Sequence, residues 1–90
     1  MAETENTATV ARQTVSSGSP WEEKVGYSRA VRVGSQVWVS GTTGPGADAA
    51  EQTRAALATI VAALAEAGAT PADVVRTRIF TTDINDWQSI

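Results

Sequence analysis

The stretch Ala30-Val31-Arg32-Val33-Gly34-Ser35-Gln36-Val37-Trp38-Val39-Ser40 decides how this chain is read. Both arms alternate and are rich in β-branched residues, the pattern of half-buried strands. Only Gly34 and Ser35 lie between them. A two-residue loop led by glycine fits a type II′ turn, which needs φ above zero at its first central position. The spacing predicts a hairpin in which Val31 and Val33 share a face, as do Val37 and Val39.

Outward from the hairpin, the upstream signals are weaker. Residues 12–17 carry the pattern of a short first strand, and Gly18-Ser19-Pro20 breaks it. Trp21 to Tyr27 reads as a connecting loop. Residues 1–11 are small and polar and are expected to form a flexible tail, leaving 12–90 as one domain. Downstream, Asp48 is a good N-cap and Glu51 follows at capping-box spacing. Leu57, Ile60, Val61 and Leu64 recur at helical spacing on an Ala-rich background, predicting a helix over 49–67. Gly68 and Pro71 mark its end.

Residues 74–82, Val-Val-Arg-Thr-Arg-Ile-Phe-Thr-Thr, predict a further strand with both faces covered. Asp83 or Asn85 would cap a new helix whose first turn is 86–90. The order β-β-α-β-(α) places a crossover helix before a parallel strand. The expected fold is α+β, a two-layer sandwich with a mixed sheet and helices on one face. The other face calls for a second subunit.

Composition narrows the chemistry. The 90 residues include no Cys and no His. Thiolate nucleophiles, Cys/His zinc sites and histidine acid–base catalysis from this chain are excluded together. A net charge of −3 and the lack of a basic cluster argue against nucleic acid as a partner. No apolar run approaches a membrane span, and residues 1–13 lack a signal peptide's apolar core. A cytoplasmic protein without metal or membrane attachment is expected.

Motif by motif, most residues read as structure. Residues 41–46, Gly-Thr-Thr-Gly-Pro-Gly, precede a helix, yet lack both the Gly-Lys-Ser/Thr ending and GxGxxG spacing of phosphate loops. Asp83 and Asp86 suit a helix start. Glu22 stays open as a functional carboxylate. Arg76 and Arg78 share a strand face and more often pair with acids than bind anions. Trp21, Trp38 and Trp87 lie on unrelated elements and read as packing residues.

Residues 26–31 (Gly-Tyr-Ser-Arg-Ala-Val), 37–41 (Val-Trp-Val-Ser-Gly), 52–57 (Gln-Thr-Arg-Ala-Ala-Leu) and 72–87 together resemble the Rid family. This family is also called YjgF, reactive-intermediate deaminase or L-PSP endoribonuclease. The resemblance spans residues 12–90 and implies a chorismate-mutase-like fold, incomplete at the C-terminal end, and a homotrimer. It implies a small-molecule or imine substrate in a cleft between subunits. It further implies hydrolysis of enamines and imines to keto acids and ammonia, with no cofactor.

Carried over by position, the resemblance makes Tyr27, Ser40, Gly41 and Phe80 substrate-binding. Tyr27 matches the tyrosine that opens the family's second strand. Ser40 and Gly41 match a Ser-Gly strand end where backbone groups meet the ligand, and Phe80 or its neighbours would wall the cleft. The family's carboxylate-holding arginine and water-orienting glutamate fall past Ile90, so the catalytic residues are not assigned. Pro20-Trp21-Glu22 marks a divergent branch. Three readings stand: an imine hydrolase, a metabolite-binding trimer without turnover, and an inactive fragment. A ribonuclease ranks last.

Overall fold

The computed structural model describes residues 11–90. The expected tail at 1–11 lies outside the described residues save for Ala11. Three strands, β1 (Arg12–Val15), β2 (Ala30–Val33) and β3 (Gln36–Val39), form one antiparallel sheet in the order β1-β2-β3. The expected hairpin is present. Its turn glycine, Gly34, has φ 59°, and no described non-glycine residue has positive φ. Type I′ would need positive φ at both central positions, so Ser35 selects type II′.

Helix α1 (Glu22–Val25) is a single turn where a loop was expected. It ends on Gly26 at φ 82°. Helix α2 (Ala49–Glu66) is the long one. Asp48 Oδ1 accepts the Glu51 N–H at 2.8 Å, while Glu51 Oε2 accepts the Ala47 N–H at 2.6 Å. The capping box therefore closes one residue earlier than its usual form. At the far end, Ala69 N–H donates to Leu64 O at 2.8 Å and Gly68 N–H to Ala65 O at 3.0 Å. That pair is a Schellman motif, with Gly68 left-handed at φ 84°.

The register places Val15, Ala30, Val37 and Val39 on one sheet face and Thr14, Val31, Val33 and Trp38 on the other. Helix α2 covers the first face. Val15, Ala30, Ala63 and Ala67 form the buried core, with Val37 and Val39 against it. Two side chains tie the layers at the helix's C-terminal end. Arg32 Nη1 donates to Ala67 O at 2.7 Å and Gln13 Nε2 to Glu66 O at 2.9 Å. Both take orphan carbonyls of the last turn.

Gly68→Ala tests this junction. Its Cβ would meet Arg32 Nη1 at 2.8 Å, and its φ is left-handed. The expected loss is about 1–2 kcal/mol, read as a lower denaturant midpoint with an unchanged slope.

Three expectations need correction. Residues 74–82 do not join the sheet, which is antiparallel and not mixed. The stretch runs exposed, with Val75 99% and Phe80 85% accessible. β-propensity describes a fit to a pleated surface. It cannot supply the neighbour whose N–H and C=O groups complete a ladder, and β3 ends the sheet as an unpaired edge. The apolar stripe of α2 also differs from expectation. Leu64 is buried, but Leu57 and Val61 are exposed. Close contact with the sheet falls to Ala63 and Ala67, whose small side chains let helix and strands approach. The stripe instead lines the space between β3 and residues 74–82. Residues 84–89 form a 3₁₀ turn, not an α-helix, capped by Asp83, which accepts the Asn85 N–H at 3.0 Å. This turn rests against α2.

Candidate functional site

An open cleft of about 1850 Å³ lies between β3, α2 and residues 69–82. Ser40, Gly41 and Phe80 all line it, on opposite walls. Tyr27 does not; it sits half-buried on the approach to β2. The structure therefore brings together three of the four residues expected to bind substrate.

The Ser40–Gly44 loop is the best-built wall. Ser40 N–H donates to Arg29 O at 2.9 Å, which extends the β2–β3 pairing past Val39. Ser40 Oγ donates to Ser28 O at 2.5 Å. Thr42 Oγ1 donates to Ser40 O at 2.8 Å. Arg29 Nη1 donates to Gly41 O at 2.9 Å and to Thr42 Oγ1 at 2.8 Å. At the other end, Gly44 lies hard against α2. A Cβ there would stand 2.5 Å from Ala56 N and 2.6 Å from Gln52 O.

Gly41 differs from Gly44. Its φ is not positive, and a Cβ would meet nothing within 4 Å. Neither turn geometry nor packing among the described residues calls for glycine at that point. Among the described residues, the N–H groups of Gly41 and Thr42 have no protein acceptor. Exposed backbone donors beside a residue without a side chain let a polar ligand approach closely.

Other sequence candidates fall into place. Glu22, left open, is committed locally. Its Oε2 accepts from Ser17 Oγ at 2.5 Å, Ser17 N–H at 2.7 Å and Ser16 Oγ at 3.0 Å. The Ser17 hydroxyl chiefly, helped by the Ser17 N–H and Ser16, holds its carboxyl below the ordinary glutamate range. Ser16 and Ser17 thereby leave β1, which ends at Val15 instead of 17. A group with a lowered folded pKa stabilises above its unfolded value and loses that stabilisation as pH falls through the folded one. The Ser17 amide signal should therefore titrate at acidic pH, below a free glutamate, and Glu22→Gln should abolish that titration.

Trp21 is exposed, with Lys24 Nζ 5.1 Å from its ring centre. Trp38 and Trp87 are also exposed, so the packing expected of all three is not made among the described residues. Arg76 and Arg78 line the cleft and have no hydrogen-bond partner among the described residues. The carboxylates at the cleft are Asp73 and Asp86. Asp73 Oδ2 is taken by the Thr70 N–H and hydroxyl. No cluster of His, Cys, Asp or Glu among the described residues could hold a metal ion. No described helix is long and apolar enough to cross a membrane. The sequence candidates do not include Arg29, which lies outside the cleft lining but holds the loop that forms its wall. The signal was its place two residues after Tyr27, opposite Ser40 across the hairpin.

The family model for Endoribonuclease L-PSP matches residues 19–90, and the chain belongs to that family. The crystal structure of Rv2704, a member of the YjgF/YER057c/UK114 family from Mycobacterium tuberculosis, is similar at a TM-score of 0.84 and 62% identity. That match covers 88% of this chain and 67% of that one. The uncharacterized protein SCO2049 of Streptomyces coelicolor is 48% identical over 73 residues, or 72% of this chain. The chain spans 54% of the length of that relative. The fold is α+β, of the YjgF type, consistent with a chorismate-mutase-like architecture.

Proposed function

We propose that this protein hydrolyses imines and enamines derived from amino acids, giving a 2-keto acid and ammonia. The observation that carries the reading is the Ser40–Gly41–Thr42 corner. It is a pinned loop with two unpartnered backbone N–H groups and a glycine that the local fold does not require. Such donors suit the imine nitrogen, which takes the electron pair of the C=N bond as water adds to its carbon. Collapse of the resulting carbinolamine breaks the C–N bond, and the nitrogen leaves as ammonia with the protons that water supplied. Phe80 would form an apolar wall. Arg76 and Arg78 offer cations for a substrate carboxylate.

Family membership supports this class of chemistry without specifying the substrate. The test is ammonia release from enzymatically generated 2-aminoacrylate. Faster release with the protein than without it is expected, and an unchanged rate contradicts the reading. A cytoplasmic location accompanies it, since such intermediates arise from intracellular amino-acid metabolism.

A second reading, binding without turnover, has one observation behind it. Among the described residues only two side-chain carboxylates, Asp73 and Asp86, line the cleft, and one oxygen of Asp73 is already taken by Thr70, which leaves few groups to orient water. Tight binding of a 2-keto acid with no ammonia release would favour that reading.

Assembly belongs to the same proposal. Val31, Val33 and Trp38 form a sheet face that no element among the described residues covers, and Trp38 is 54% exposed. Copies of the chain meeting through that face, as a homotrimer, would bury it. Trp38→Glu would then place charge in the interface and lower the native mass towards one chain in native mass spectrometry.

A further inference from the structure

We propose that Arg29 is a positioning residue for this site, holding the backbone donors of Gly41 and Thr42 in place. The inference rests on the proposed reading for its catalytic consequence, but its geometry stands alone. One nitrogen, Nη1, carries two N–H groups, and both are used. One donates to Gly41 O at 2.9 Å and the other to Thr42 Oγ1 at 2.8 Å. The Thr42 hydroxyl in turn donates a hydrogen bond to Ser40 O at 2.8 Å. The carbonyls of two successive peptide units, Ser40–Gly41 and Gly41–Thr42, are thus anchored to one guanidinium, directly and through one hydroxyl.

A trans peptide is planar, with its N–H pointing opposite to its C=O. Anchoring the two carbonyls therefore also sets the directions of the Gly41 and Thr42 N–H groups, away from Arg29. Both residues line the cleft, and among the described residues neither N–H has an acceptor. Glycine at position 41 leaves its two soft dihedrals free. Something outside the loop has to hold this corner, and the guanidinium does so. Arg29 is held in turn by the sheet. Its N–H donates to Val15 O at 2.8 Å, and its carbonyl accepts the Ser40 N–H at 2.9 Å. A single residue thus joins β1, the end of β3 and the loop. A lysine ammonium also carries several donors on one nitrogen, but they rotate about a flexible stem, whereas the two Nη1–H bonds are fixed in the guanidinium plane.

The experiment compares wild type, Arg29→Met and Arg29→Lys in two readouts. The first is NMR of the chain. In Arg29→Met the Gly41 and Thr42 amides should shift and lose order, while the signals of α2 stay in place. The second is turnover of a 2-imino acid. The Met variant should lose about 10- to 100-fold in kcat, the scale expected when donors are misplaced by about an ångström. KM should change much less, and Lys should recover part of the loss. Unchanged order at Gly41 and Thr42, a full wild-type kcat in the Met variant, or a loss confined to KM overturns the proposal. If the wild type proves inactive on imines, the proposed function fails, and the NMR arm still decides the role of Arg29. If the variants do not fold, the wild-type guanidinium signals decide it. A slowly rotating Arg29 Nη group supports the anchor, and a freely averaged one overturns it.

Discussion

Gly44→Ala is expected to remove the site while leaving most of the fold standing. The added Cβ would lie 2.5 Å from Ala56 N, 2.6 Å from Ala55 Cβ and 2.6 Å from Gln52 O. Two of these are backbone atoms inside α2, which has no soft direction in which to give. The loop has to move instead. Overpacking of this kind costs about 1–3 kcal/mol. The larger consequence is positional. A loop displaced by about an ångström misplaces the Gly41 and Thr42 donors, and such errors cost on the order of 100-fold in rate. Gly41→Ala is the matching control, since its Cβ meets nothing and its φ is not left-handed. It should leave the melting temperature nearly unchanged and still reduce turnover, by crowding the ligand directly. If Gly41→Ala is fully active, the glycine is not there for close approach.

Ala30→Asp is expected to unfold the protein. Ala30 has no exposed surface. It pairs with Val15 on one side and Val39 on the other, in the core that α2 closes with Ala63 and Ala67. No buried polar or charged side chain stands among the described residues to meet a carboxylate there. An uncompensated buried charge costs several kcal/mol. Small domains have little to spare, with whole stabilities of about 5–15 kcal/mol and a core limited by chain length. The cooperative melt should vanish at neutral pH. Ala58→Asp, on an exposed turn of α2, changes helix propensity by under about 1 kcal/mol and should melt nearly as wild type does.

Much of this architecture follows from short-range patterns. The hairpin follows from alternation around Gly34, and the limits of α2 from Asp48 and Gly68. Each is a local instruction, satisfied by atoms within a few residues. The misread elements lack that property. Residues 74–82 have a strand's composition, yet a strand needs a partner at hydrogen-bonding distance. The stripe on α2 was assigned to the core by periodicity, but which turns of a helix meet the sheet depends on where the strands stop. Glu22 looked free because its partners, Ser16 and Ser17, precede it across a glycine-proline break. The site divides the same way. Ser40, Gly41 and Phe80 come together at one cleft. Tyr27 does not line it, and Arg29 gains its place only through a hairpin contact 12 residues away in sequence.

The proposed ligand-binding wall is the Ser40–Gly41–Thr42 corner. Titration of the ¹⁵N-labelled chain with 2-oxobutyrate, the keto acid that the proposed imine hydrolysis would release, tests it most directly. Saturable shifts are expected, concentrated at the Gly41 and Thr42 amides and at Phe80, and weakened in Gly44→Ala. Shifts that cluster away from the cleft, around Glu22 and Ser17 for example, or no saturable shift at all, would contradict it.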